Sequence, residues 1–113
     1  MAKRRRAEKA ETSEYADDEG NVLELRQSLS AGTVRKIARL SGKAGSTAED
    51  VWQRREEMLF ERLVVRWVVA GLPLDDQKML LGRYRMASSD ERQWVRRTIA
   101  THLERYIPEL AED

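Results

Sequence analysis

The chain has 113 residues, no cysteine, 36% charged side chains and a formal net charge of +1. Such a length holds one domain, and the lack of thiols excludes both a disulfide framework and a thiolate zinc site. The balanced charge excludes a broad basic field around the domain; no apolar run reaches the about 20 residues a bilayer span needs, and no apolar stretch follows the basic start as in a secretory signal. A cytoplasmic protein without membrane contact is the expectation.

Residues 1–20 contain no aliphatic side chain larger than Ala beyond Met1, and Tyr15 is their one aromatic residue. Too little apolar surface is present to offset the entropy of ordering, so a disordered charged arm is predicted over 1–20, with a helical domain over 21–110. The arm is divided in charge. Lys3, Arg4, Arg5, Arg6 and Lys9 stand against Glu8, and Glu11, Glu14, Asp17, Asp18 and Glu19 follow with no base among them.

Asp18-Glu-Gly-Asn21 has turn composition, and Val22-Leu-Glu-Leu25 reads as extended. Ser28 or Ser30 can cap a helix running to about Leu40, with Val34, Ile37, Ala38 and Ser41 along one face. Ser46-Thr-Ala-Glu49 fits a capping box, in which the hydroxyl accepts a backbone N–H and the carboxylate reaches back. From there a helix is predicted to Ala70, stopped by Gly71 and Pro73. This stretch includes the most apolar run of the chain, Met58–Leu74, interrupted only by Glu61, Arg62 and Arg66. A helix apolar nearly all round must be surrounded by protein. A buried strand over Leu63–Val69 competes, because the run is rich in Val; continuity from the capping box and the Gly-x-Pro ending favour the helix.

Asp75 or Asp76 caps a helix to about Met86, and Ser88-Ser-Asp-Glu91 makes a second capping box before a helix to about Ile107, stopped by Pro108. Four helices with short connections predict an all-α fold, a small bundle of about four helices.

Catalytic and metal constellations are not found. His102, the only histidine, has Thr98, Ile99, Arg105 and Tyr106 at helical spacing, none a usual zinc ligand, so it reads as a satisfied buried side chain. Asp17, Glu19 and Asn21 alternate as at the start of a calcium loop, but Val22 stands where the loop needs Gly, and Ser28 where it needs Glu. Asp75-Asp76 reads as a helix start rather than an acid/base pair. No Gly-rich phosphate loop occurs. Neither an enzyme nor a cofactor is expected.

Lys3-Arg4-Arg5-Arg6 offers a modest phosphate-binding tip, worth a salt slope of roughly −4 if each charge met a phosphate. Asp90 and Glu91 in the first turn of the last helix argue against its use as a DNA recognition helix. Trp52, Trp67 and Trp94 are numerous for so small a domain, which leaves at least one available to a partner. Arg62 and Arg66, four apart on the predicted central helix, read first as a solvated stripe; the functional alternative makes them the rim of a groove, with Trp52 or Trp94 as its apolar anchor.

Two stretches, Asp50–Leu74 and Leu80–Arg92, carry a resemblance. Together with the basic start, the Asp-Glu-Gly-Asn turn and the C-terminal His102-Leu-Glu and Ile107-Pro-Glu-Leu110, they resemble the tail assembly chaperones of actinobacterial long-tailed phages and prophages. The resemblance implies a mostly helical, non-enzymatic protein. It would bind the long tape-measure protein before the tail tube polymerises around it, and leave before the virion is complete. The tail tube protein and a second copy of the chain are further partners under this reading. The alternatives are a small nucleic-acid-binding phage protein using Lys3, Arg4, Arg5 and Arg6, and a structural head–tail component.

Overall fold

The computed structural model describes residues 11–40 and 53–111 in full and the helical backbone of 48–52. Its elements in chain order are β1 (Thr12–Ala16), β2 (Val22–Arg26), α1 (Ala31–Leu40), α2 (Ala48–Leu63), β3 (Val64–Val69), β4 (Leu72–Leu74), α3 (Gln77–Arg85) and α4 (Ser89–Tyr106), followed by a short 3₁₀ turn at Pro108–Leu110. The strands form one antiparallel sheet in the order β1-β2-β3-β4, with α1 and α2 inserted between β2 and β3. The fold is therefore α+β, and the all-α bundle expected from the sequence is incorrect.

The error lies in the apolar run. The helix predicted to reach Ala70 ends at Leu63, and the chain passes without a loop into β3. Val64, Val65, Val68 and Val69 are β-branched and suit a pleated, half-buried surface better than a helical one. Gly71 is not a helix stop. It lies with Ala70 in the tight turn between β3 and β4, where both residues are left-handed, at φ 52° for Ala70 and 80° for Gly71. Pro73 falls on the edge strand β4, a position where sheets tolerate a missing N–H.

The predicted arm over 1–20 also needs correction. Residues 1–10 lie outside the described residues, but Thr12–Ala16 is a strand in register with β2, Tyr15 opposite Leu23 and Ser13 opposite Leu25. Alternation explains what composition hid: Ser13 and Tyr15 face the core side, while Thr12, Glu14 and Ala16 take the charged and small side chains to the other face. Tyr15 packs against the core.

Pairing between β2 and β3 shifts register between Glu24 and Leu25. Leu25 pairs with Val64 and Glu24 with Arg66, which leaves Val65 as the extra residue of a bulge. Because of it, Val64 and Trp67, three apart, both turn to the face that carries Leu23 and Leu25, and all four are buried. The helices cover this face through Ile37, Phe60, Leu63, Tyr84, Ile99 and Leu103. On the opposite face Ala16, Val22 and Val68 stay outside the core.

The starts of α1, α3 and α4 follow the sequence closely. Ser30 Oγ accepts the Thr33 N–H at 3.1 Å, and Asp76 Oδ1 accepts from Lys78 and Met79 at the start of α3. Ser88 and Glu91 form the reciprocal capping box at α4. The other predicted capping box, from Ser46, lies outside the described residues. Among the described residues no helix is long and apolar enough to cross a membrane.

Candidate partner-binding clefts

His102 is fully buried on α4 and joins it to the first hairpin. Its Nε2 lies 2.7 Å from the Arg26 carbonyl oxygen and its Nδ1 2.7 Å from the Tyr15 hydroxyl. A carbonyl can only accept, so Nε2 carries the proton and the neutral Nδ1 accepts from Tyr15. Burial lowers the His102 pKa, and the bond to Arg26 only partly opposes this. The arrangement is structural: both ring nitrogens are satisfied by the fold.

Glu56 on α2 has a similar linking role. It accepts the Tyr84 hydroxyl of α3 through one oxygen and Arg96 Nε of α4, at 2.9 Å, through the other. Burial, reinforced by the Glu56 carboxylate, pushes the Tyr84 phenol well above its ordinary range. Arg85 binds Glu57 at 2.8 Å and Arg83 binds Glu91 at 2.9 Å, so α3 is paired to both α2 and α4. Hydrogen bonding to these arginines holds the Glu57 and Glu91 carboxyls below their usual range.

Two concavities flank this network. The first is a groove of about 100 Å³ between α2 and α4. Leu59, Ile99, Ala100 and Leu103 give it an apolar floor, and Arg55, Glu56, Arg96 and Glu104 give it a rim of mixed charge. Part of that rim is fixed: the Arg55 guanidinium donates to the Leu110 carbonyl, and Arg96 binds Glu56. A groove of this form accepts one apolar side chain from an amphipathic segment while the rim meets its polar flanks.

The second cleft, of about 450 Å³, lies between the β1–β2 turn and the first turns of α4. Asp17, Asp18 and Glu19 approach from the turn, Asp90 and Glu91 from the helix, and Trp67 and Trp94 complete the wall. The turn is firmly built. Asp17 Oδ1 accepts the N–H groups of Glu19 and Asn21 at 2.8 and 2.9 Å, and its Oδ2 accepts from the Asn21 side chain at 2.9 Å. Burial opposes ionisation of Asp17, but these bonds outweigh it and the pKa is lowered. Among the described residues no group of Asp, Glu and His converges closely enough to hold a metal ion.

The expected partner-binding residues are not gathered in one place. Arg62 is exposed on the last turn of α2, whereas Arg66 is on β3, opposite Glu24 on the sheet face away from the core. They do not share a helix, so the rim predicted from their four-residue spacing is not formed. Trp94 is half-buried in the wall of the acidic cleft. The Trp52 side chain, and the basic run Lys3, Arg4, Arg5 and Arg6, lie outside the described residues. Sequence reasoning missed the acidic cleft because Asp17–Glu19 and Asp90–Glu91 each had a local explanation, as turn and cap. Only the long-range packing of the first hairpin beside α4 brings them together.

Comparison with known proteins identifies no relative: no protein family, no curated protein and no solved structure matches this chain.

Proposed function

We propose that this chain is a non-enzymatic protein-binding module that acts as a phage tail assembly chaperone, holding the tape-measure protein in the host cytoplasm during tail assembly. The groove between α2 and α4 supports this reading most directly. Its floor of Leu59, Ile99 and Leu103 and its mixed rim are complementary to an amphipathic helical segment, the kind of element a long tape-measure protein presents repeatedly. The resemblance of Asp50–Leu74 and Leu80–Arg92 to such chaperones supplies the identity of the partner, while the mostly helical architecture it implied is replaced by the α+β fold. Binding to the tail tube protein and self-association belong to the same proposal.

Ala100 gives the direct test, since it is exposed and borders the groove. Under this reading a tape-measure gene lies beside that of this chain, and co-expression with its product should keep that partner soluble and allow co-purification. Ala100→Glu should abolish both effects while leaving the melting temperature within a few degrees of the parent. If the parent chain neither solubilises nor co-purifies with the tape-measure protein, the proposal is rejected.

A further inference from the structure

We propose that the free edge of β1 is a docking site for an extended, cation-bearing segment of a protein partner, which adds to the sheet as a fifth strand antiparallel to β1. Gln27 donates its N–H to the Glu11 carbonyl at 2.9 Å and Asp17 donates to the Asn21 carbonyl at 3.0 Å, so the odd-numbered residues of β1 are the ones that bond to β2. Thr12, Glu14 and Ala16 therefore turn their backbone N–H and C=O groups toward the open edge. Among the described residues only the Thr12 carbonyl finds a donor there, Gln27 Nε2 at 3.3 Å, and Glu14 and Ala16 are exposed. The opposite edge of the sheet is closed to such pairing. There β4 is three residues long, and its central residue, Pro73, which pairs with Val68, brings no N–H to the outer side.

Rows of side chains across the outer face of the sheet fix the chemistry of the incoming strand. Glu14 stands directly opposite Glu24 in a pair without backbone hydrogen bonds, where side chains approach most closely and like charges repel. Glu24 has relief on its own side: Thr12 Oγ1 donates to it at 2.6 Å, and Arg66 lies opposite it on β3. Glu14 makes no ion pair among the described residues. A Lys or Arg on a strand beyond β1 would face Glu14 and offset the repulsion. The next row is apolar, running through Ala16, Val22, Val68 and Pro73, and it matches an apolar residue opposite Ala16. In an antiparallel strand these two positions read apolar-x-Lys/Arg in chain order. A second copy of the chain is a poor occupant, since β1 paired with itself about Glu14 sets glutamate against glutamate. The edge lies on different elements from the α2–α4 groove, so its test does not depend on the tape-measure protein.

The experiment titrates the full-length ¹⁵N-labelled chain at low salt, up to millimolar concentration, with the blocked peptide Ser-Val-Thr-Lys-Thr-Thr-Ser, in which Val meets Ala16 and Lys meets Glu14. The amides of Thr12, Glu14 and Ala16 should shift along one binding curve and gain protection from hydrogen exchange. Those of Ser13 and Tyr15, already bonded to β2, should gain none. Methylating the Lys nitrogen of the peptide, which would bond to Glu14, should abolish binding; methylating the preceding Thr nitrogen, which points away, should not. Glu in place of Lys should weaken binding about three-fold, the worth of an exposed cross-strand charge pair, and Glu14→Lys should reverse that preference. The proposal is overturned if the peptide leaves the three amides unmoved, if the two methylated peptides bind alike, or if Glu14→Lys leaves the preference unchanged. It is equally overturned if the three amides are already protected in the dilute free chain, which would then cover its own edge, or if they shift with chain concentration alone, a second copy then being the occupant.

Discussion

The side-chain oxygen of Asn21 accepts the backbone N–H of Ala70 at 2.9 Å, so the turn of the first hairpin holds the turn of the second. The same carboxamide donates to Asp17. Two strand pairs separated by α1 and α2 in the chain are thereby fixed to each other at one end of the sheet. Asn21→Ala removes both bonds and leaves one Asp17 oxygen with less support. It should lower unfolding free energy by about 1–2 kcal/mol, read from the urea midpoint.

Ala70 has a φ of 52°, a left-handed conformation that costs a residue with a Cβ about 1–2 kcal/mol. Ala70→Gly should therefore raise stability, by up to about 1 kcal/mol once the added freedom of the unfolded chain is subtracted. A thermal melt showing a lower midpoint would contradict this.

His102 sets a pH dependence of defined sign. Its pKa in the folded chain is below the ordinary 6.5, so the unfolded chain binds the extra proton first as pH falls. Stability is complete above about pH 6.5 and declines from there toward the lower folded value. Asp17, Glu57 and Glu91 are also depressed, but their stabilisation is lost at more acidic pH, below the usual carboxylate range. Urea midpoints between pH 7.5 and 5.5 should fall for the parent chain, and His102→Gln should flatten that slope.

Deleting residues 1–20 should be strongly destabilising, by at least about 2–4 kcal/mol, because it removes β1, the packed Tyr15 ring and the hydroxyl bonded to His102. Tyr15→Phe isolates the last of these and should cost about 1 kcal/mol. Circular dichroism melts of the two variants measure both effects.

Local signals were legible where the answer was local. Ser30, Asp76 and the Ser88–Glu91 box mark their helix starts because capping needs only the next three residues. Val22–Leu25 showed its strand character directly. Val64–Val69 did not, since a nearly unbroken apolar run carries neither helical nor strand periodicity, and one of its two neighbours in the sheet, β2, lies some 40 residues earlier. Thr12–Ala16 was hidden for a different reason: one aromatic residue suffices when a strand partner supplies the hydrogen bonds. The two concavities share this dependence on distant packing. His102 alone could be placed correctly as a satisfied side chain without its partners, Tyr15 and Arg26, being foreseen.

The bulge at Val65 has a consequence for how this chain tolerates change in length. In a regular strand, loss of one residue reverses the facing of everything beyond it. Here Val65 is already surplus to the pairing, so a single-codon deletion at that position leaves Leu25 opposite Val64, Glu24 opposite Arg66 and Leu23 opposite Trp67. The helix of Ala48–Leu63 enters the sheet with no loop to absorb a mismatch between helical rotation and strand pleat. One unpaired valine serves as that slack, and within β3 it is the residue whose loss keeps the pairing with β2.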